Sequence, residues 1–398
     1  MTYSKNLYLI CIFNLNLFSS YAQVWQQLAD FPSTERDDGV SFTLNNFVYC
    51  GTGLQQNWST SSDFYRFDMN TDTWDTIAPL PLSAHRQAAC GFSYNGEGYV
   101  FGGFSGYPLN DLWKYNPQTD TWIQKASKPG IGLSGASCFE LNGKAYIIGG
   151  NNGDLTVYNQ VWEYTIATDS WSQKNNFPAS GSWRASAVAY SNNAYLIFGM
   201  DTAGSFNRNL YKYNVQADSW TILSTFPQPG RILSSLSVIQ NSLVVFAGVD
   251  SVNSYYNNLW YFSFYDSLWY QGVSLPAIAR KEGICFNSVS ALYYTIGLNP
   301  QEIRLKETWK IDNVIGVLEF TNSSFLQLFP NPCASFFTID SQFDFEFELL
   351  SSLGEIVNKI KFKAPSQRVD VSNLPAGFYY LKIVNSKISG AYKLSISK

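Results

Sequence analysis

Histidine is almost absent. His85 is the only one in 398 residues, so no multi-histidine zinc or copper centre can form, and no Cys-x-x-Cys pair offers thiolates instead. A Ser-His-Asp relay would have to run through that same residue, which stands beside Arg86 with no nucleophile elbow near it. Methionine is scarce at 3 residues, and charged side chains make up 14% of the chain. With 26 basic against 30 acidic residues, a net charge of −4 gives nucleic acid no counterion-displacing surface. Beyond residue 22 no apolar run reaches the roughly 18 residues that a membrane-spanning helix needs. Phosphate loops are missing as well, since Gly102-Gly103 and Gly149-Gly150 close apolar runs rather than opening helices. No cofactor and no metal is expected.

What the chain has in quantity is aromatic and small. Aromatics reach 17%, apolar residues 45% and glycine 28 residues, a mixture that favours strands and turns and an all-β fold. The length suggests two domains or a repeat architecture. At the start, Lys5, the apolar stretch Leu7 to Phe18 and the small residues of Ser20-Tyr21-Ala22 have the form of a secretory signal peptide over residues 1–22, cut before Gln23. Charge divides unevenly behind it: residues 23–326 carry 17 basic and 24 acidic groups, while residues from 327 onward carry 8 and 6. Two regions of different character follow.

The first region repeats. Trp25, Trp74, Trp122, Trp171, Trp220 and Trp269 are spaced by 49, 48, 49, 49 and 49 residues. Four of them end nearly the same phrase, as in Tyr115-Asn116-Pro117-Gln118-Thr119-Asp120-Thr121-Trp122, the pattern of an aromatic strand, a polar turn and a return strand. Before each hairpin an apolar run ends in glycine, and before that lies a run of Ala, Ser, Gly and Cys fitted to a crowded innermost strand. Cys90, Cys138 and Cys285 each fall 16 residues after their tryptophan and are read as equivalent small core sites carrying free thiols. Five mature cysteines leave at least one unpaired.

With its double glycines, its tyrosine before each tryptophan and a period near 50, the stretch from 24 to about 313 resembles the Kelch repeat. The resemblance implies a β-propeller of four-stranded blades. Trp309-Lys310-Ile311-Asp312 has no return strand of its own, and Val24 to Leu28 can supply it, closing a ring of six blades. Some Kelch propellers are copper-radical galactose oxidases, an activity that one histidine excludes.

Arg36, Arg86, Arg184, Arg231 and Arg280 lie 11, 12, 13, 11 and 11 residues after their repeat's tryptophan, and only the third repeat, with Leu133 and Ser134, lacks one. Equivalent positions in a closed ring place these guanidinium groups around one mouth of the channel, where they would hold a carboxylate or other anion through paired hydrogen bonds. The other reading is structural, with each arginine paired to a nearby loop and Glu35, Asp37, Asp38 and Glu282 neutralising the set.

The second region alternates apolar and acidic residues without error in Phe343-Asp344-Phe345-Glu346-Phe347-Glu348-Leu349, a half-buried strand in a small Ig-like β-sandwich. Its opening Pro330-Asn331-Pro332, then Gly354, Leu374, Gly377 and Tyr379, and the final strand with Lys393 look like the type IX (Por) secretion sorting domain of Bacteroidetes. That resemblance implies export across both membranes by the type IX machinery, through the periplasm, to the medium or the cell surface, with no transmembrane segment in the mature chain. An ordinary Ig-like binding module is the alternative. The expected division is therefore 1–22 signal peptide, 23–313 six-bladed Kelch propeller, 314–326 linker and 327–398 sorting domain.

Variable loops on a rigid propeller suit recognition, so a glycan- or protein-binding module is the leading expectation. Trp58, Tyr107, Trp183 and Tyr255-Tyr256 are aromatic candidates for contact or for packing between blades. The rival expectation is a sugar-acid mutarotase similar to the Kelch-type N-acetylneuraminate epimerases, with an arginine on the carboxylate and Glu282 or Glu35 moving protons. Neither that family's long blade insertion nor its acidic catalytic position is found here. A passive element of a surface assembly would do neither.

Overall fold

A computed structural model describes residues 23–154, 156–264, 266–312, 314, 326–341, 344–351, 355–383 and 391–398. The expected signal peptide, nearly all of the linker, and Gly354 of the tail motif lie outside the described residues. Among those described, helix is confined to two three-residue turns, and no helix is long and apolar enough to cross a membrane.

Six antiparallel four-stranded blades follow one another. The first is Val40–Leu44, Phe47–Gly51, Phe64–Asp68 and Thr73–Ile77; the second is Cys90–Tyr94, Glu97–Phe101, Leu112–Asn116 and Thr121–Lys125. The third runs from Ser137–Leu141 to Ser170–Lys174, the fourth from Trp183–Tyr190 to Ser219–Thr225, and the fifth from Ser235–Ile239 to Trp269–Gln271. In the sixth, Ile284–Asn287, Leu292–Leu298 and Arg304–Ile311 are completed by Trp25–Gln27, whose Trp25, Gln26 and Gln27 pair with Ile311, Lys310 and Trp309. The two ends of the propeller share one sheet, as the missing return strand required, and no blade is left with an open edge between them.

The repeated phrase works both within and between blades. Tyr164 packs on Trp171 at 4.9 Å between ring centres, and its hydroxyl donates to Asp169 Oδ1 at 2.6 Å. Asp169 Oδ1 also accepts the N–H of Ala126, in the blade before, at 2.9 Å, and Trp171 Nε1 donates to the Ala126 carbonyl at 2.7 Å. Trp122 makes the same bond to Ala78 at 2.9 Å and Trp74 to Ala29 at 3.3 Å. The period of 49 thus records, in most blades, an indole or a carboxylate that clasps the blade before: Asp120 accepts the Ala78 N–H at 2.9 Å and Asp218 the Asn175 N–H, while the Trp220 indole N–H finds no partner among the described residues.

Inner strands are small because their side chains fill the narrow wedge between neighbours. Ser137 Oγ donates to the Ala185 carbonyl at 2.8 Å, and a β-carbon on Gly91 would lie 2.4 Å from the Ser41 carbonyl. The three channel cysteines are not all equivalent. Cys90 pairs with Phe101 and Cys138 with Ile147, yet Phe101 and Ile148 are the residues that precede the double glycines, so Cys90 stands where Ser137 does and Gly91 where Cys138 does. One extra residue after Trp74, the same one that puts Arg86 at a spacing of 12, shifts the second blade's register.

The tail is built of two sheets. Leu326–Phe329, Phe336–Ser341 and Ser366–Asp370 form one; Ile356–Phe362, Phe345–Ser351, Gly377–Ile383 and Ala391–Ile396 form the other. Phe337, Ile339, Phe347, Leu349, Leu381 and Leu394 meet in a core between them, fully shielded from solvent. Asn331 pins the last strand by donating to the Lys393 carbonyl at 2.8 Å and accepting from the Ser395 N–H at 2.9 Å. Leu374 packs against the core, the Tyr379 hydroxyl donates to the Pro375 carbonyl at 3.1 Å, and Lys393 lies over the Phe378 ring at 4.0 Å.

Candidate functional site: a charged ring at the channel mouth

Where each blade's inner strand begins, one residue takes up left-handed backbone geometry: Asp38, Ala88, Gly135, Arg184, Leu233 and Glu282, with φ between 54° and 63°. This geometry points each N–H at the corresponding carbonyl of the blade before. Ala88 donates to Asp38 (2.9 Å), Gly135 to Ala88 (2.9 Å), Arg184 to Gly135 (2.8 Å), Leu233 to Arg184 (3.2 Å), Glu282 to Leu233 (3.3 Å), and Asp38 to Glu282 (3.0 Å). Six main-chain hydrogen bonds close a ring, and inside it lies a cavity of about 130 Å³ lined by those residues and their small successors, among them Gly39, Ala89, Ala136 and Ser234.

Three of the six ring side chains are charged. Arg184, in the fourth blade, reaches across to Asp38 in the first, directly opposite, and binds both carboxylate oxygens, Nη2 to Oδ2 at 2.8 Å and Nη1 to Oδ1. Burial pulls the guanidinium pKa down, but Asp38, with Glu282 and Asp37 behind it, more than reverses this and holds it above the usual arginine value. Glu282 stands beside Asp38, and carboxylate oxygens of Asp37, Asp38 and Glu282 lie within 4.8 Å of one another. Burial first, then the neighbouring Asp38 charge, push Glu282 up to about 8 against the opposing pull of Arg184. Asp37, buried and beside Asp38, is pushed up to about 6 despite Arg304 Nε at 3.1 Å.

A carboxyl whose folded pKa exceeds its unfolded value stabilises the fold below the unfolded pKa and loses that contribution as pH rises through the folded one. For Glu282 the window runs from 4.5 to about 8. Glu282→Gln is expected to flatten the loss of stability across that window and to be more stable than the parent at pH 8. Denaturant unfolding at pH 5 and pH 8 checks it; an equal difference at both pH values would contradict the assignment.

The five arginines do not form the expected ring. Arg36, Arg86, Arg231 and Arg280 are fully buried and turned away from the cavity into the hairpin loops above it. Each side chain there finds a partner 25 to 27 residues on. Arg36 binds Asp63 (2.9 Å from Nη2) and the Thr52 carbonyl, Arg86 binds Asp111 through two bonds of 2.8 Å and the Gly102 carbonyl, and Arg280 binds Glu307 at 2.6 Å. Where the repeat has Leu133 or Ser182 in place of arginine, the residues 27 further on are the uncharged Gln160 and Asn209, so the charges come and go in pairs. Arg184 belongs to a different position, two residues later and equivalent to Asp38. Its spacing of 13 from the tryptophan, against 11 or 12 for the others, was the signal.

Arg231 breaks the pairing rule. Its partner is the neutral Asn258 at 2.9 Å, its Nε and Nη2 make no hydrogen bond among the described residues, and burial pushes its pKa down to about 10. The guanidinium lies 3.8 Å from the Tyr256 ring centre, which supplies part of the missing negative charge. Asn258→Asp restores the carboxylate of the equivalent pairs and is expected to stabilise the propeller by about 1–2 kcal/mol, because it pairs a buried cation left without one. A melting temperature unchanged or lowered at neutral pH would contradict this.

The remaining candidates fall in different places. Glu35 is half-buried and paired with Lys306 at 3.3 Å, outside the cavity. His85 is exposed, with Nδ1 at 2.5 Å from Thr60 Oγ1. Trp183 packs beside the Arg184 guanidinium at 5.2 Å, Tyr255 beneath Lys281 at 5.3 Å, and Trp58, 71% exposed, under Arg304 at 4.6 Å. Tyr107 is exposed on its own hairpin.

A family model, the Attractin/LZTR1 beta-propeller, matches residues 46–253, which is 208 of the 398 residues. The chain belongs to the Attractin/LZTR1 beta-propeller family. A second model, the secretion system C-terminal sorting domain, matches residues 327–397, and so this Kelch-type propeller is exported by the type IX system to the cell surface or the medium. N-acetylneuraminate epimerase of Shigella flexneri is 34% identical over 122 residues, covering 29% of this chain and 32% of that protein. N-acetylneuraminate epimerase 2 of Escherichia coli O6:H1 is 32% identical over 144 residues, 34% of this chain and 37% of its own. The propeller thus spans about a third of the length of the curated relatives it matches. A solved structure titled "Structure of YjhT" superposes with a TM-score of 0.63 at 20% identity, covering 71% of this chain and 95% of that one, a likeness of fold.

Proposed function

We propose that the exported propeller binds a small acidic sugar or the acidic end of a glycan at the ring mouth, with Arg184 holding the carboxylate. The observation that carries this reading is the convergence of Arg184, Asp38 and Glu282 on a cavity whose other ring positions, Ala88, Gly135 and Leu233, carry no charge. Arginine is matched to a carboxylate by two parallel N–H bonds, as its grip on Asp38 illustrates. The cavity, about 130 Å³, admits a carboxylate and its first carbons, and the Trp183 ring packs beside the Arg184 guanidinium.

A second reading, sugar-acid mutarotase, is favoured by Glu282. A carboxyl that burial and the Asp38 charge push up to about 8, beside the carboxylate-holding arginine, is matched to giving and taking a proton near neutral pH, as anomer exchange requires. The name of the curated relatives agrees with this reading over about a third of their length. Proton NMR with N-acetylneuraminate separates the two: saturation transfer reports binding, exchange between anomer signals reports catalysis. The parent protein is expected to show saturation transfer. Its absence would remove sugar acids and turn the search to neutral glycans and protein partners.

A further inference from the structure

Arg184 is already occupied. Any carboxylate that takes it must displace Asp38, whose two oxygens it holds. The displaced Asp38 then stands beside Asp37 and Glu282, in a buried cluster whose carboxylate oxygens are all within 4.8 Å. Every other charged group that faces this cluster is committed. Arg304 is bound to Asp37 at 3.1 Å, Lys281 lies 3.7 Å from Glu282 and over the Tyr255 ring, and Arg280 is bound to Glu307. Tyr294, from the neighbouring strand, spends its hydroxyl oxygen on the Gly283 N–H at 3.2 Å. Among the described residues the cations around the cluster, Lys281 and Arg304, already balance its carboxylates, so none is added to neutralise Asp38 once Arg184 lets go.

Two shielded carboxylates with oxygens within 4.8 Å of each other and no cation between them keep one proton rather than ionise together. We infer that the mouth takes a carboxylate ligand only together with a proton: the ligand replaces Asp38 on Arg184, and one solvent proton is taken up and shared between Asp38 and Glu282, so that the exchange is neutral in charge. This rests on the reading of Arg184 as the carboxylate holder and adds to it the regulation of that site. An unprotonated cluster would expel the anion, so the propeller releases such ligands as pH rises. The raised position of Glu282, at about 8, places the transition within reach of ordinary surroundings.

Uptake of one proton makes the dissociation constant rise by up to tenfold for each pH unit above about 8. The test measures binding of N-acetylneuraminate and, in parallel, of sodium acetate to the full mature chain between pH 6.5 and 9. Calorimetry at pH 8 in two buffers of different ionisation enthalpy counts the protons taken up. Expected are affinity falling with pH, an uptake of between one half and one proton, less than half of that in Asp38→Asn or Glu282→Gln, and none in the double variant. Asp38→Asn also removes the competitor for Arg184 and is expected to bind the acid more tightly than the parent. Affinity constant within twofold across the pH range, or a proton count unchanged in the double variant, overturns the inference while leaving the binding site intact. If acetate binds with proton uptake and the sugar acid does not, the exchange stands and the proposed ligand falls; if neither binds, both fall together.

Discussion

Arg86→Ala is expected to destabilise the propeller by about 3–5 kcal/mol while leaving binding by the folded fraction unchanged. Arg86 is fully buried, grips Asp111 with two bonds of 2.8 Å, and ties in the Gly102 carbonyl at 2.9 Å. Removing it strands Asp111, whose side chain is 18% exposed, and frees a buried carbonyl, the costly way to break an ion pair. Replacing both partners at once, Arg86→Leu with Asp111→Leu, is expected to cost much less than the single change, because no uncompensated charge is left behind. Chemical denaturation of the parent, Arg86→Leu, Asp111→Leu and the double variant closes a cycle that gives the coupling directly. A single variant within about 1 kcal/mol of the parent, yet unable to bind a sugar acid, would return Arg86 to the channel mouth.

Arg184→Ala gives the opposite pattern. It is expected to abolish saturation transfer from N-acetylneuraminate, a loss of at least about 100-fold in affinity, because a bidentate, partly buried carboxylate contact is worth roughly 3 kcal/mol or more. Its effect on stability depends on pH. Without Arg184, Asp38 and Glu282 face each other uncompensated, so the variant folds best when the cluster is protonated and weakens as pH rises toward 8 and beyond. Arg184→Lys keeps the charge but cannot span both oxygens, and is expected to recover stability more fully than binding. Equal saturation transfer in the parent and in Arg184→Ala would show that the ring mouth is not the site.

Much of the architecture was written in local, repeated features. Six tryptophans at a near-constant interval, the double glycines and the orphaned last strand specify six blades and their closure, because each inner strand hands its first N–H to the corresponding carbonyl of the blade before. The tail was equally legible, since its motifs stand in order along one short segment. The site was harder to read, for a physical reason. Arg184 meets Asp38 across 146 residues, and nothing local at either position announces the other. Repeat equivalence was the only guide, and a tolerance of two residues in the spacing let Arg184 pass as a fifth member of a series that serves the hairpin loops. The partner rule at 25 to 27 residues, which pairs Arg36 with Asp63, Arg86 with Asp111 and Arg280 with Glu307, was present in the sequence and sets those three apart from Arg184, but it fails for Arg231, which has Asn258 at that distance. Cys90 was misplaced by the same one-residue slip in the second blade, where a count from Trp74 carries an insertion into the strand.

The ring around the mouth is held by main-chain atoms alone, each blade's N–H on the carbonyl of the blade before. Nothing in its geometry depends on which side chain projects from it, beyond tolerance of the left-handed backbone. Asp38, Ala88, Gly135, Arg184, Leu233 and Glu282 are therefore six letters around one frame, spaced far apart in the chain and brought to one address in space, of which Asp38, Arg184 and Glu282 are read together through their charges and Gly135 is held small by Trp183 and Arg184. A lineage that carries this frame can rewrite what the mouth accepts by substitutions at these positions, the charged ones changed together, without renegotiating the blades. Grafting a different six-residue word onto the same scaffold is a direct way to reprogram it.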